Sequence, residues 1–269
     1  MTALPKLVAT DLDGTLVRTD NTVSMRSSDV LKRLAAKGVH IVGITGRGPR
    51  LLQLCRTDVP SADHLVMAQG SYIFDTAHDS PKMLRSLAFP GEQALSIVET
   101  IEAVAGPLTV LVESGSAHGA PLLGDEVKNW PFAVPIHTTD RESAHTGNIV
   151  KSFLLSESKT SMELLALANE LIGPERAEFT ESGLGFVEVC PPGATKAAGL
   201  MYVCDRLDVS VDDVLAFGDA TNDLSMLSLV GHSVAMGNAH PRIKSVATDT
   251  TATNDDDGVV SYLERVFGI

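Results

Sequence analysis

The sequence predicts an α/β protein organised on a parallel sheet. Several short apolar runs have the continuous hydrophobicity of strands covered on both faces, and amphipathic helical stretches separate them. The runs also end in loops loaded with Asp, Thr, Gly and Lys. Strand, helix and strand with short connections form a βαβ unit, which brings the ends of both strands to one edge of the sheet. Ligands of open α/β sheets bind beyond the carboxyl ends of the strands.

The first run, Leu7-Val8-Ala9-Thr10, stops at Asp11-Leu12-Asp13-Gly14-Thr15. Two acids emerge at the sheet mouth, neither expected to be fully buried, and Gly14 permits a tight turn after them. One acid suits a hard cation or nucleophilic attack, the other proton transfer. Alone, Asp-x-Asp-Gly reads equally as a plain turn.

Val30, Leu31, Leu34 and Ala35 lie on one helical stripe that Gly38 ends. Val39 to Ile44 is the second strand, closing in Thr45-Gly46-Arg47. A third runs from Leu65 to Ala68, followed by Gln69-Gly70-Ser71 and a hairpin-like Tyr72-Ile73-Phe74.

The pattern changes after Ser80-Pro81. An amphipathic helix spans 91–105, stopped by Gly106-Pro107, and a strand spans 108–112. Glu113 to Asn148 has weak periodicity and stays unassigned. A strand over 149–155, a helix over 161–172 and strands over 177–180 and 185–189 complete a middle third that reads as a small α/β unit of its own.

Pro191-Pro192-Gly193 break the chain, and a helix starts near Thr195 with Lys196 in its first turn. The strand 214–217 ends in Gly218-Asp219-Ala220-Thr221-Asn222-Asp223, and the strand 232–236 in Gly237-Asn238-Ala239. A short helix holds Ile243 and Val246. Asp255-Asp256-Asp257-Gly258 reads as a solvated turn rather than a metal site, and a helix over 259–267 closes the chain.

At 269 residues with 44% hydrophobic content, the chain can bury a substantial core and suits a core domain plus a second unit. A net charge of −13 argues against nucleic acid and anionic membranes as partners. No apolar run reaches the ~18 residues that cross a bilayer. Lys6 running straight into the first strand does not resemble a secretory leader. Cys55, Cys190 and Cys204 are unclustered and read as buried thiols, so the expected location is the cytoplasm.

If the strands are parallel, Asp11/Asp13, Thr45-Gly46-Arg47 and Asp219–Asp223 meet at one edge, with Lys196 close by. Carboxylates with one Lys and one hydroxyl suit a Mg²⁺ site that handles phosphate. Taken singly, each residue has a plainer reading. Thr45 reads as a helix cap, Lys196 as an exposed helix lysine, Arg47 as half of a surface ion pair, and Asn238 as a turn residue.

Together these residues resemble the haloacid dehalogenase-like hydrolases. D-x-D-G-T is Asp11 to Thr15, the second-motif hydroxyl is Thr45, the third-motif base is Lys196, and G-D-x-x-N-D is Gly218 to Asp223. T-G-R at Thr45 and Ala235-Met236-Gly237-Asn238-Ala239 narrow the resemblance to the Cof-type, sugar-phosphatase-like branch. One departure is Gln69-Gly70, where that branch usually carries Asn-Gly.

The resemblance implies a Rossmann-like, three-layer α/β/α core over 1–82 and 190–269, with an inserted α+β cap over 83–189 that selects the substrate. It implies a Mg²⁺-dependent phosphatase of small phosphorylated metabolites, such as sugar phosphates or a phosphorylated cofactor. Asp11 would be the nucleophile and Asp13 the acid and base. Asp11, Asp219 and the backbone carbonyl of Asp13 would hold the metal, with Asp223 supporting it through water. Thr45, Gly46, Lys196 and Asn222 would bind the phosphoryl group, with Arg47 as a further substrate contact. A phosphomutase with the same phospho-aspartate, or a non-catalytic module on the same fold, are the alternatives.

Overall fold

The computed structural model describes residues 4–87, 89–115, 117–128, 130–132, 134–181 and 183–269. They cluster into two units. One holds the chain through Gly46, then Gln53–Arg85 and Thr195–Ile269, and the other holds Arg47–Leu52 and Ser86–Ala194.

The first unit is organised on an eight-stranded sheet. Its order is Asp249–Thr250, His232–Ala235, Val214–Gly218, Leu7–Asp11, His40–Ile44, His64–Met67, Tyr72–Asp75 and Lys82–Ser86. Pairing is parallel from the first of these through His64–Met67, and Tyr72–Asp75 then turns back antiparallel. Leu7–Asp11 and Val214–Gly218 are buried at every position, as strands covered on both faces should be. From Leu7–Asp11 the chain builds outward on one side, and on its return it builds outward on the other. The strand order therefore reverses beside Leu7–Asp11, the place where such sheets bind ligands.

The first helix is Met25–Ala36, capped by Ser24 accepting from the Ser27 amide and presenting Val30, Leu31 and Leu34 to the core. Pro49–Leu51 forms a 3₁₀ turn and Leu52–Asp58 a helix, neither of which the sequence reading assigned. The helix Lys196–Leu207 begins where Thr195 accepts from the Ala198 amide, and Gly258–Phe267 ends the chain.

The second unit carries a six-stranded sheet in the order Glu178–Thr180, Val187–Cys190, Lys151–Ser156, Leu108–Glu113, Leu122–Gly124 and Ile136–Thr138. It is antiparallel except for the last pair. Gly91–Ala105 and Ser161–Leu171 lay Ala94, Ile97, Val98, Ile101, Leu164 and Ala168 into one apolar cluster with Val110, Val112, Leu154, Val187 and Val189 from the sheet. Alternation then places Leu111 and Phe153 in a separate cluster with Phe186, against which Trp130 stacks at 5.0 Å.

The stretch 113–148 is therefore not featureless. It contains Leu122–Gly124, Ile136–Thr138 and the short helix Arg141–Ala144, elements too brief to show a period. The expected strand over 149–155 is interrupted at Val150, whose amide donates to the Glu113 carbonyl. Among the described residues no helix is long and apolar enough to cross a membrane.

Candidate active site

Asp11 is the last residue of its strand and is 5% exposed, whereas Asp13, two residues on, is exposed. This corrects the expectation that neither acid is fully buried. The strand carries Asp11 inside before the chain turns, and Gly14 then makes the turn at a φ of 78°. A β-carbon at Gly14 would lie 2.5 Å from an Asp219 carboxylate oxygen, so only glycine lets the two loops approach this closely.

Lys196 is also buried, at 1% exposure, which sets aside its reading as a solvated helix lysine. Capping by Thr195 places it at the first helical position, and its Nζ lies 2.6 Å from both Asp11 Oδ1 and Asp223 Oδ1. A second close approach holds this helix start to the third strand's loop. A β-carbon at Gly70 (φ 107°) would come within 2.2 Å of the Thr195 carbonyl.

Asp223 is fully buried, and its other oxygen accepts the Asp219 and Ala220 amides at 3.0 and 3.1 Å. It therefore shapes the loop as well as pairing Lys196. Asp219 Oδ1 accepts from the Thr15 hydroxyl at 3.0 Å.

Thr45 is buried, with its amide on the Val66 carbonyl and its carbonyl accepting the Gln69 amide. Asn222 Nδ2 donates to Gln69 Oε1 at 3.4 Å, and its own Oδ1 is buried without a hydrogen-bond partner among the described residues. Gly46 stays with the first unit, whereas Arg47 groups with the second. Ala68 and Gln69 both have positive φ (47° and 58°), a strained pair directly behind the site that residue types did not reveal.

Burial and two neighbouring carboxylates set the electrostatics. The Asp11 carboxyl is raised well above its ordinary range, mainly by desolvation and then by Asp223 and Asp219, with Lys196 opposing. Asp219 is pushed up to about 6 by burial and by Asp223. Burial would lower Lys196, yet Asp11 and Asp223 outweigh it and keep the ammonium charged.

Oxygens of Asp11, Asp219 and Asp223 can all lie within 4.8 Å of one another. Three carboxylates against one ammonium leave uncompensated negative charge in a buried place, and an all-oxygen donor set fits a hard divalent cation such as Mg²⁺. The Asp13 side chain is not in that cluster.

A pH dependence follows for the metal-free protein. Asp219 at about 6 folded, against 3.8 as its ordinary value, means that the folded state binds this proton more tightly. The contribution is complete below about pH 4 and is lost as pH rises through 6. Denaturant unfolding in chelator should show stability falling by a few kcal/mol over that window. Asp219→Asn should reduce the slope, leaving the part contributed by the raised Asp11 carboxyl, and Mg²⁺ at pH 7 should restore the lost stability. A slope unchanged in Asp219→Asn would assign the proton elsewhere.

A family model described as haloacid dehalogenase-like hydrolase matches residues 8–263. A 5-amino-6-(5-phospho-D-ribitylamino)uracil phosphatase of Bacillus subtilis is 30% identical, covering 97% of this chain and 95% of its own. An HMP-PP phosphatase of Yersinia pestis is 28% identical over 97% and 94%. A crystal structure from Streptococcus mutans superposes with a TM-score of 0.85 at 22% identity, covering 99% of this chain and 100% of that one, and shows the shared fold.

Proposed function

We propose, for a chain that belongs to the haloacid dehalogenase-like hydrolases in their Cof-type branch and is a phosphoric monoester hydrolase, that it dephosphorylates small metabolites through a phospho-aspartate on Asp11. The observation that carries this reading is Lys196 Nζ bound at 2.6 Å to both Asp11 and Asp223 inside a buried carboxylate cluster.

In this reading an Asp11 oxygen attacks phosphorus and the bond to the leaving oxygen breaks. Asp13, exposed and adjacent, donates its proton to that oxygen. It then takes a proton from the water that attacks phosphorus, which releases inorganic phosphate and returns Asp11 as a carboxylate. Lys196 and Thr45 hold the phosphoryl oxygens, and Asn222 orients the loop beside them. Asp11, Asp219, Asp223 and the Asp13 carbonyl would hold Mg²⁺, which when bound neutralises charge between an anionic nucleophile and an anionic ester. Selection of the leaving group is assigned to the second unit, which carries none of the four motifs.

The test is a panel of phosphate monoesters that includes sugar phosphates, phosphorylated cofactors and the phosphoribitylaminouracil named for the Bacillus relative. Turnover is expected with Mg²⁺ and should vanish in excess chelator. Full turnover in chelator would overturn the metal assignment, and no turnover of any monoester would overturn the phosphatase reading.

A further inference from the structure

Gly237-Asn238-Ala239 and the acidic turn 255–257 follow separate elements of the first unit. The structure joins the first to Gly14 and the second to residues 18 and 19 just beyond the first motif. Asn238 is exposed, yet both ends of its amide are committed. Its Nδ2 donates to the Gly14 carbonyl at 2.8 Å, and its Oδ1 accepts the Asn254 amide at 3.0 Å.

Asn254, buried, donates its own Nδ2 to the Val17 carbonyl at 3.0 Å. Beyond it, Arg18 forks onto Asp257 at 3.2 and 2.8 Å, and Thr19 donates its amide and hydroxyl to Asp255. The acidic turn is therefore a strap over residues 17–19 and not simply a solvated loop.

Two asparagine amides thus catch the Gly14 and Val17 carbonyls, while the Thr15 and Val17 amides are held by the Leu12 carbonyl. Asp13 sits inside this bracket, paired with Val17 in an isolated bridge. Gly14 is the weak point of the turn, because a glycine rotates more freely than any other residue. Its carbonyl needs an outside partner to stay fixed, and Asn238 supplies one.

We propose that Asn238 is a positioning residue for Asp13. By holding the Gly14 carbonyl it fixes the turn that aims the Asp13 carboxyl at the leaving oxygen. The inference rests on the reading of Asp13 as the proton donor. Its signature differs from a loss of folding, since general-acid catalysis matters most for leaving groups that depart poorly without a proton.

The experiment measures leaving-group release in a single turnover, with Mg²⁺, for p-nitrophenyl phosphate and for glycerol phosphate. In Asn238→Ala the alkyl ester should slow by about 10-fold or more and the aryl ester by less than about 3-fold. Asn238→Ser, a smaller change at the same exposed position, should show the same split. Asp13→Ala should show a larger split, and Asn238→Ala should add nothing in an Asp13→Ala background.

Equal slowing of both esters, no slowing, or an additive loss in the double variant would overturn the inference while Asp13→Ala still discriminates. If Asp13→Ala itself treats both esters alike, the proton-donor reading fails, and the positioning role falls with it.

Discussion

Asp11→Asn should abolish turnover, with a fall in kcat of about 10⁴-fold or more on every monoester. The amide keeps the shape of the side chain but is not a competent nucleophile. The fold should survive, because the substitution removes a carboxyl whose charged form burial already disfavours and leaves Lys196 its contact with Asp223. Borohydride added during turnover of the unaltered enzyme should reduce an acyl phosphate at residue 11 to the alcohol, detected in the peptide that contains it. A near-normal rate in Asp11→Asn, or a reduced residue elsewhere, would sink the covalent route.

Lys196→Ala should have the second-largest effect, and on two quantities at once. Removing the ammonium leaves Asp11 and Asp223 buried without their shared cation, and breaking a buried pair from one side costs about 3–5 kcal/mol. The loss should be largest near pH 7 and should shrink at lower pH, where the buried Asp11 carboxyl can take a proton instead. Catalysis should fall by about 10²- to 10³-fold to a similar extent for aryl and alkyl esters, because the proposed role of Lys196 is on the phosphoryl group they share. Chemical denaturation at two pH values checks the first effect, and kinetics on two esters the second. A variant as stable as the parent at pH 7 would mean that the ammonium does not compensate the carboxylates.

The loops of the candidate site were legible because local chemistry announces them. An apolar run that stops at Asp11-Leu12-Asp13-Gly14, or at Gly218-Asp219, declares both its strand and the edge where the strand ends. Thr195 before Lys196 likewise marks a helix start that lifts the lysine to the sheet mouth.

What escaped depends on partners distant in the chain. Asn238 reads as a turn residue until its contact with the Gly14 carbonyl, 224 residues away, is seen. The burial of Asp11 and Lys196 has the same origin, since the lysine lies inside against Asp11 and Asp223, whose positions come from elements far apart in the chain. Leu52–Asp58 is too short to show a helical stripe, and the positive φ of Ala68 runs against its residue type.

The second unit supplies a further case in its buried ions. Lys151 pairs with Glu188, and Glu113 lies beside Arg50 at 3.5 Å, both pairs nearly fully buried. Burial pushes the Glu113 carboxyl up despite Lys151 and Arg50. No local periodicity could have revealed the Arg50–Glu113 pair, because Arg50 lies 63 positions before Glu113.

That last distance bears on where this chain can be cut without breaking a buried pair. Arg50 belongs to the six residues Arg47–Leu52 that group with 86–194, and its carbonyl also accepts the Gly119 amide. The second unit is therefore split along the chain, and the T-G-R triplet is cut between Gly46 and Arg47. A chimera that grafts 86–194 alone onto a foreign core strands Glu113 without its guanidinium and imports whatever the host encodes at position 50. Recombination that respects the physical seam needs two crossovers flanking 47–52 in addition to the two flanking the large insert.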